Sequence, residues 1–433
     1  MMINYFLPVF ILSVSVLTSC SSAPNNVFYF SQVAEAERKS RDIQLPDGSL
    51  QIFIDAFGNV YPKTGYPSTP NLIGNSATGA GSLFNQSVHQ NSELCLNSEN
   101  NPGSDAYLLC QTIATEKCDF ESQSCSTTQD WKSAQKQLWH KEGQLIYEQA
   151  ARLGKDEVLF LIHGFNNTYS ESSGWYENVI NEIHAQGFDP LMVELYWDGF
   201  NGTPLFTKSW GFAQSAGPLV GFKLRQLFHG MELAYNENDI ELPKIRMFSH
   251  SSGAFVIGAL LGNPYSALPN LYDEDRRGTD FSEFYEHRDG SGEQYPIPNF
   301  PEIRVGMIAA ATSTDTFTGV GKQDPERESG LLSPNTTLIF SLNTKDWVLG
   351  KVFGLENLNA GGATGAGADV GLYCAFLANL NEHKEQVDAV YAFDFTRGGI
   401  LNRHGVNAYF LSDKKEAFIK TMFAANDSDF YQC

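Results

Sequence analysis

Ser251, Asp346 and His404 stand far apart in the sequence. Their order is the one in which a parallel sheet presents a serine nucleophile, its acid and its base. A serine hydroxyl attacks poorly unless a neighbouring base takes its proton. An imidazole titrating near neutrality suits that task, and a carboxylate on the other ring nitrogen fixes the tautomer and stabilises the imidazolium. Ser251 lies in Ser249-His250-Ser251-Ser252-Gly253, a turn of small residues. Oγ can project from a strand end only if the turn is tight, so the residues two before and two after must be small. Gly253 meets this requirement, and Ser249 stands where the motif has its first glycine. The negative oxygen that forms on an attacked carbonyl needs hydrogen-bond donors. The backbone N–H groups of Ser252 and Phe165 are the candidates, with His163, Gly164 and Asn166 forming the loop around Phe165.

Elements must place these residues together. Residues 242–248 are a short apolar run after a proline and predict a buried strand leading into the serine turn. Residues 254–261 follow with an apolar helix pattern closed by Gly262-Asn263-Pro264. The runs 157–162, 337–342 and 387–393 predict three more core strands. They lead into His163-Gly164-Phe165-Asn166-Asn167, Asn343-Thr344-Lys345-Asp346-Trp347 and, after a longer loop, Arg403-His404-Gly405. All four chemical segments thus follow the C-terminal ends of predicted parallel strands, where open α/β sheets hold ligands. Further strands are predicted at 190–196 and 303–311, and helices at 131–153, 175–186 and 217–230.

Residues 158–410 resemble the α/β-hydrolase superfamily, in particular bacterial hydrolases with an HGFN-type loop. The resemblance rests on 161–167, 249–253, 343–347 and His404-Gly405. It implies a mostly parallel sheet flanked by helices. It also implies an exported serine hydrolase that cleaves a carboxylic ester or related acyl bond of a small-molecule or lipid substrate through an acyl-enzyme. Asp315, after the strand at 303–311, is the alternative acid, since some members place the acid one strand earlier. His250 is expected to point away from the nucleophile, His163 to order the oxyanion loop, and His383 to lie on the surface. Two other functions stay open: a peptidase or amidase using the same triad, and a non-catalytic surface protein that keeps the fold for binding or assembly.

Composition narrows the classes. The chain has 433 residues with 42% apolar and 18% charged content, a globular balance. Asp and Glu number 50 against 29 Lys and Arg, for a net charge of −21, which repels phosphate backbones and argues against nucleic-acid binding. The 9 histidines form no H-E-x-x-H pair and Cys118-x6-Cys125 fits no zinc pattern, so neither metal nor cofactor is implied. The glycine-rich run 361–367 lacks the G-K-[ST] ending of a phosphate loop and reads as a hinge or close-packed loop. Loops expected on the catalytic side are 198–212, 312–335 and 344–371, while the aromatic-rich connection 263–301 reads as structural.

The N-terminus carries a short apolar core at residues 6–17, too short for a transmembrane helix. It ends in Leu17-Thr18-Ser19-Cys20, which resembles a lipoprotein lipobox and implies cleavage before a lipidated Cys20; an ordinary signal peptide containing a cysteine is the alternative. Ser21 and Ser22 follow without an inner-membrane retention aspartate, which points to an outer-membrane lipoprotein facing the periplasm or the surface, tethered through Cys20. The expected division is 1–19 signal peptide, 20–130 loop-rich extension with a hairpin turning at Gly58-Asn59, and 131–433 hydrolase domain. Of 7 cysteines, those other than Cys20 form an even set, as expected for disulfides in an oxidising compartment. Cys374 is expected to pair with Cys433, pinning the C-terminus, and Cys95, Cys110, Cys118 and Cys125 to pair among themselves.

Overall fold

The computed structural model describes residues 49–54, 58, 60–61, 117–119, 124–126, 129–165, 167, 169–197, 206–263, 295–311, 317, 330–331, 333–343, 345–346, 348–349, 374, 378, 389–396 and 404–424. Asp315, Asn166, His383, Cys20, Cys95, Cys110, Cys433, most of the catalytic-side loops and residues 264–294 lie outside that set.

In chain order the first elements are strands β1 (Leu50–Ile54), β2 (Val60–Tyr61), β3 (Lys117–Asp119) and β4 (Ser124–Ser126). Helix α1 (Gln129–Leu153), β5 (Glu157–Ile162), α2 (Tyr169–Ala185), β6 (Leu191–Trp197) and α3 (Phe206–Glu237) follow. Next come β7 (Lys244–His250), α4 (Gly253–Leu261), β8 (Gly262–Asn263), β9 (Ile303–Ile308), β10 (Gly330–Leu331) and β11 (Thr336–Leu342). The described chain ends with β12 (Ala389–Asp394), α5 (Val406–Tyr409) and α6 (Lys415–Phe423).

Eight strands form one sheet in the order β12-β11-β9-β7-β5-β6-β1-β2. All neighbours run parallel except β2, which pairs antiparallel with β1. Helices flank this sheet, so the architecture is α/β, as the alternation of apolar runs predicts. The inner strands are buried along their length, which explains why their sequences are continuously apolar and not alternating. After β5 the chain adds β6 on one side and then crosses to β7 on the other. The C-terminal ends of β5 and β7 therefore lie where such sheets bind ligands.

Strands β1 and β2 pair antiparallel, as the expected hairpin requires, but β1 continues the main sheet by pairing with β6 over Leu50–Ile54. It therefore shares the core of the expected hydrolase domain, although its sequence was grouped with the extension. Its neighbour α1 ties it down: the side-chain amide of Gln135 bonds both the N–H and the carbonyl of Val60, at 2.8 and 3.3 Å. Helix α3 is also longer than its sequence predicts. The expected start is residue 217, yet the helix begins at Phe206 and carries Pro218 inside it. Cys118 and Cys125 are direct register partners across the β3–β4 ladder. Cys374 is disulfide-bonded; Cys433, its expected partner, is outside the described residues.

Helix α4, which follows the serine turn, is buried on every side. Its neighbour α3 comes so near that a Cβ on Gly221 would lie 2.1 Å from the Val256 carbonyl oxygen. A helix end without water must find protein partners. Arg225 on α3, itself fully buried, supplies them at the C-terminal end. Its guanidinium donates to the Ala259 carbonyl at 3.0 and 2.7 Å and to the Gly262 carbonyl at 2.6 Å. A cation there also complements the negative end of the helix dipole. Buried Arg246 pairs with Glu157 and Glu302, joining the starts of β5, β7 and β9.

Removing Arg225 strands buried carbonyls and opens a cavity. We expect Arg225→Ala to lower the unfolding free energy by roughly 2–4 kcal/mol. Chemical denaturation measures this; a loss below about 0.5 kcal/mol would show that water replaces the guanidinium.

Candidate active site

The loops after β5, β7, β11 and β12 meet at one edge of the sheet. Strand β7 runs straight into the serine turn, with Ser249 paired to Ile162 of β5 and to Met307 of β9. The Ser251 N–H donates to the Ile308 carbonyl at 3.0 Å, and its own carbonyl accepts from Ala311 at 3.1 Å and Ala254 at 3.2 Å. These bonds hold Ser251 at φ +52°, a left-handed conformation unfavourable for a residue with a Cβ.

Small residues make the turn possible. A Cβ on Gly164 would lie 2.9 Å from the Ser251 Cβ, and one on Gly253 would lie 2.9 Å from the Ile162 carbonyl oxygen. Neither position admits a side chain. Ser249 is tolerated at the first small position, where it is buried with its hydroxyl unbonded among the described residues.

Ser251, His404 and Asp346 form one hydrogen-bonded chain. His404 Nε2 is 2.8 Å from Ser251 Oγ, and His404 Nδ1 is 2.8 Å from Asp346 Oδ2. Burial pushes the Asp346 carboxyl up, but hydrogen bonds and charge from His404, then Tyr409 and the Leu349 N–H, hold it below its ordinary value. An ionised Asp346 accepts, so His404 carries its proton on Nδ1 and leaves the Nε2 lone pair for the serine proton. Tyr409 Oη donates to Asp346 Oδ2 at 2.6 Å, and the N–H groups of Val348 and Leu349 donate to Oδ1 at 3.0 and 3.2 Å. Tyr409 was not singled out in the sequence. It sits on the short α5, five residues past His404, and only the return of the chain over β11 brings it to the acid.

Two further histidines surround this chain, both buried. His163 Nε2 accepts the Trp197 N–H at 3.1 Å, so Nδ1 is protonated and donates to the Gly164 carbonyl at 2.7 Å. Its ring stacks on Trp197 with centroids 5.6 Å apart, and the Trp197 indole N–H donates to the His163 carbonyl at 2.7 Å. Burial drives its pKa down to about 4. It thus orders the loop, as expected of it. His250, expected to point away from the nucleophile, packs against His404: its Nε2 donates to the His404 carbonyl at 2.9 Å, with ring centroids 5.0 Å apart. Burial, then the nearby His404, lowers its pKa to about 3. Sequence spacing cannot foresee this contact, because it joins residues 154 positions apart.

Of the two N–H groups expected as oxyanion donors, that of Phe165 is already engaged. The Phe165 N–H does approach the turn, but it donates to the Ser252 hydroxyl at 2.6 Å. Among the described residues no group of three or more His, Cys, Asp or Glu is arranged to hold a metal ion. A cavity of about 660 Å³ lies at the other end of the sheet, beside Lys155, Tyr235 and Lys244, away from these residues.

No protein-family model matches the sequence, and no curated protein does. Among solved structures the chain is similar to a thermophilic esterase of the Planctomycetes species Thermogutta terrifontis. The butyrate-bound form shows 13% identity and a TM-score of 0.27, covering 63% of this chain and 86% of that one. Thermogutta terrifontis esterase 2 phosphorylated by paraoxon shows 12% identity and a TM-score of 0.25, covering 63% and 85%. Overlap this slight bears on neither the site nor its chemistry.

The buried neutral histidines make a pH prediction. His163 and His250 gain protons in the unfolded chain near the ordinary value of 6.5 but in the fold only near 4 and 3. The unfolded state therefore binds more protons between these values, and stability is full above pH 6.5 and falls on acidification. We expect a loss of about 1.4 kcal/mol per pH unit for each ring below pH 6. Denaturant midpoints at pH 7 and pH 5 read it directly. Equal midpoints would mean the rings take up protons without unfolding.

Proposed function

We propose that this chain is a serine hydrolase of the α/β-hydrolase type, cleaving a carboxylic ester or related acyl bond. The observation that carries the reading is the unbroken Ser251–His404–Asp346 chain, with 2.8 Å at both contacts, on a serine held at positive φ after a central strand. Strain of that kind persists only where the surroundings over-determine it, and it gathers at functional sites.

The mechanism follows from the proton positions. Ser251 Oγ attacks the carbonyl carbon while its proton passes to His404 Nε2, and the carbonyl π pair moves onto oxygen. Asp346 stabilises the imidazolium so formed. Collapse of the tetrahedral species expels the alcohol, which takes the proton from His404. Water then repeats the sequence on the acyl-enzyme and frees the acid. His404 is 16% exposed at its side chain while Asp346 is not exposed, which suits a base that meets substrate and an acid that does not.

Catalysis should fail with the nucleophile. Ser251→Ala is expected to abolish fluorophosphonate labelling and hydrolysis of p-nitrophenyl esters, with the thermal unfolding midpoint close to that of the parent. Asp346→Asn should cost about 10³–10⁴-fold in kcat. Undiminished labelling of Ser251→Ala would move the nucleophile elsewhere. Turnover of p-nitroanilides above p-nitrophenyl esters would favour an amidase.

The N-terminal sequence supports a second part of the proposal: export, with Cys20 lipidated and the protein tethered to the cell envelope. A processed lipoprotein carries several acyl chains and so anchors stably, where one chain would not. Cys20→Ser should shift the protein from the membrane fraction to the soluble one or stall its processing; unchanged membrane association would point to another tether.

A further inference from the structure

We propose that the Ser252 side-chain hydroxyl is itself an oxyanion donor, polarised from behind by the Phe165 N–H. This rests on the reading of Ser251 as the nucleophile and adds a residue to its machinery.

Ser252 precedes the first residue of α4 with φ −67° and ψ −6°, and its side chain caps no N–H of the first turn. Its hydroxyl instead reaches across to the β5 loop and accepts the Phe165 N–H at 2.6 Å, fully shielded from solvent. A hydroxyl has one proton to give as well as lone pairs to receive. The hydroxyl proton of Ser252 has no acceptor among the described residues. A buried donor left unused is costly, so a site that keeps one has an acceptor in prospect.

The same contact removes the rival. The Phe165 N–H points at Ser252 Oγ and, so engaged, cannot also be the direct donor to a carbonyl oxygen beside Ser251. Its influence reaches the substrate through the hydroxyl. Donors linked in series polarise one another, so Phe165 N–H to Ser252 O–H to oxyanion is stronger than an isolated hydroxyl. The start of α4 adds its positive end to the same place.

In the acylation step Ser251 Oγ bonds to the carbonyl carbon, its proton goes to His404 Nε2, and the π pair becomes the oxyanion. Ser252 donates two hydrogen bonds to that oxygen, from its N–H and its O–H, and transfers no proton. The bonds strengthen as charge builds, so the hydroxyl acts on turnover more than on substrate binding.

Steady-state hydrolysis of a short-chain p-nitrophenyl ester by Ser252→Ala and Ser252→Thr tests this, with fluorophosphonate labelling and thermal unfolding alongside. Ser252→Ala should lower kcat about 100-fold with KM within about twofold, the size expected for one lost oxyanion donor. Ser252→Thr, which keeps a hydroxyl, should recover most of it. A Ser252→Ala protein with parental or higher kcat, whatever its unfolding midpoint, overturns the proposal: the freed Phe165 N–H would then be the donor and Ser252 a plug. Parent protein that neither turns over the ester nor labels at Ser251 overturns the hydrolase reading and this one together.

Discussion

The ends of β5 and β7 lie so close that backbone packs on backbone, and the candidate site follows from that approach. Ile162 and Ser249 are register partners, so the two loops leave the sheet side by side. A Cβ at Gly164 would lie 2.9 Å from Ser251 Cβ and 3.0 Å from the His250 carbonyl oxygen. Such contact is open only to glycine, and here it is space, not φ, that requires it. Pressed from the β5 side and tied to the end of β9, the turn after β7 has one way out, and Ser251 takes it at φ +52°. The left-handed conformation costs on the order of 1–2 kcal/mol, which the surrounding ladder offsets. Oγ then stands clear of the sheet, where His404 can reach it.

Electrostatics in this corner set two buried imidazoles apart from one buried carboxylate. Asp346 keeps its charge because two backbone N–H groups, Tyr409 and His404 all donate to it. His163 and His250 lack a carboxylate partner, and burial holds them neutral. Neutrality at His250 matters most. Its ring is 5.0 Å from that of His404, and a charge there would oppose the imidazolium that the proposed mechanism forms. His250 instead gives the base a hydrogen bond from below, fixing its backbone without competing for its proton.

How much was readable in advance depended on the range of the interaction that decided each feature. Strand β5 begins and ends where its sequence predicts, because Glu157–Ile162 is a closed apolar run. Order along the chain and position after a strand pointed to Ser251, Asp346 and His404, and the structure brings these three side chains into one hydrogen-bonded chain. The hairpin was legible as a hairpin, but a short strand does not record its sheet, and β1 joined the core through β6, more than 140 residues away. Helix α3 begins well before residue 217, where its sequence pattern starts, because packing against α1 and α4 carries it through Pro218. His250, Tyr409 and the Ser252–Phe165 bond went unseen for one reason. Each depends on which way a side chain faces once distant loops have met.

Helix α4 shows how the fold and the proposed chemistry use the same asymmetry. A helix buried all round cannot rely on water for its end groups. At its C-terminal end Arg225 bonds the carbonyls of Ala259 and Gly262. At its N-terminal end the Ser252 oxygen accepts from Phe165 and caps no N–H of the helix, and among the described residues no acceptor takes the Ser252 N–H. Saturating both ends would make the better helix. On the proposed reading, leaving donors unspent at the end next to Ser251 lowers stability slightly and aims a preorganised dipole at the carbonyl under attack.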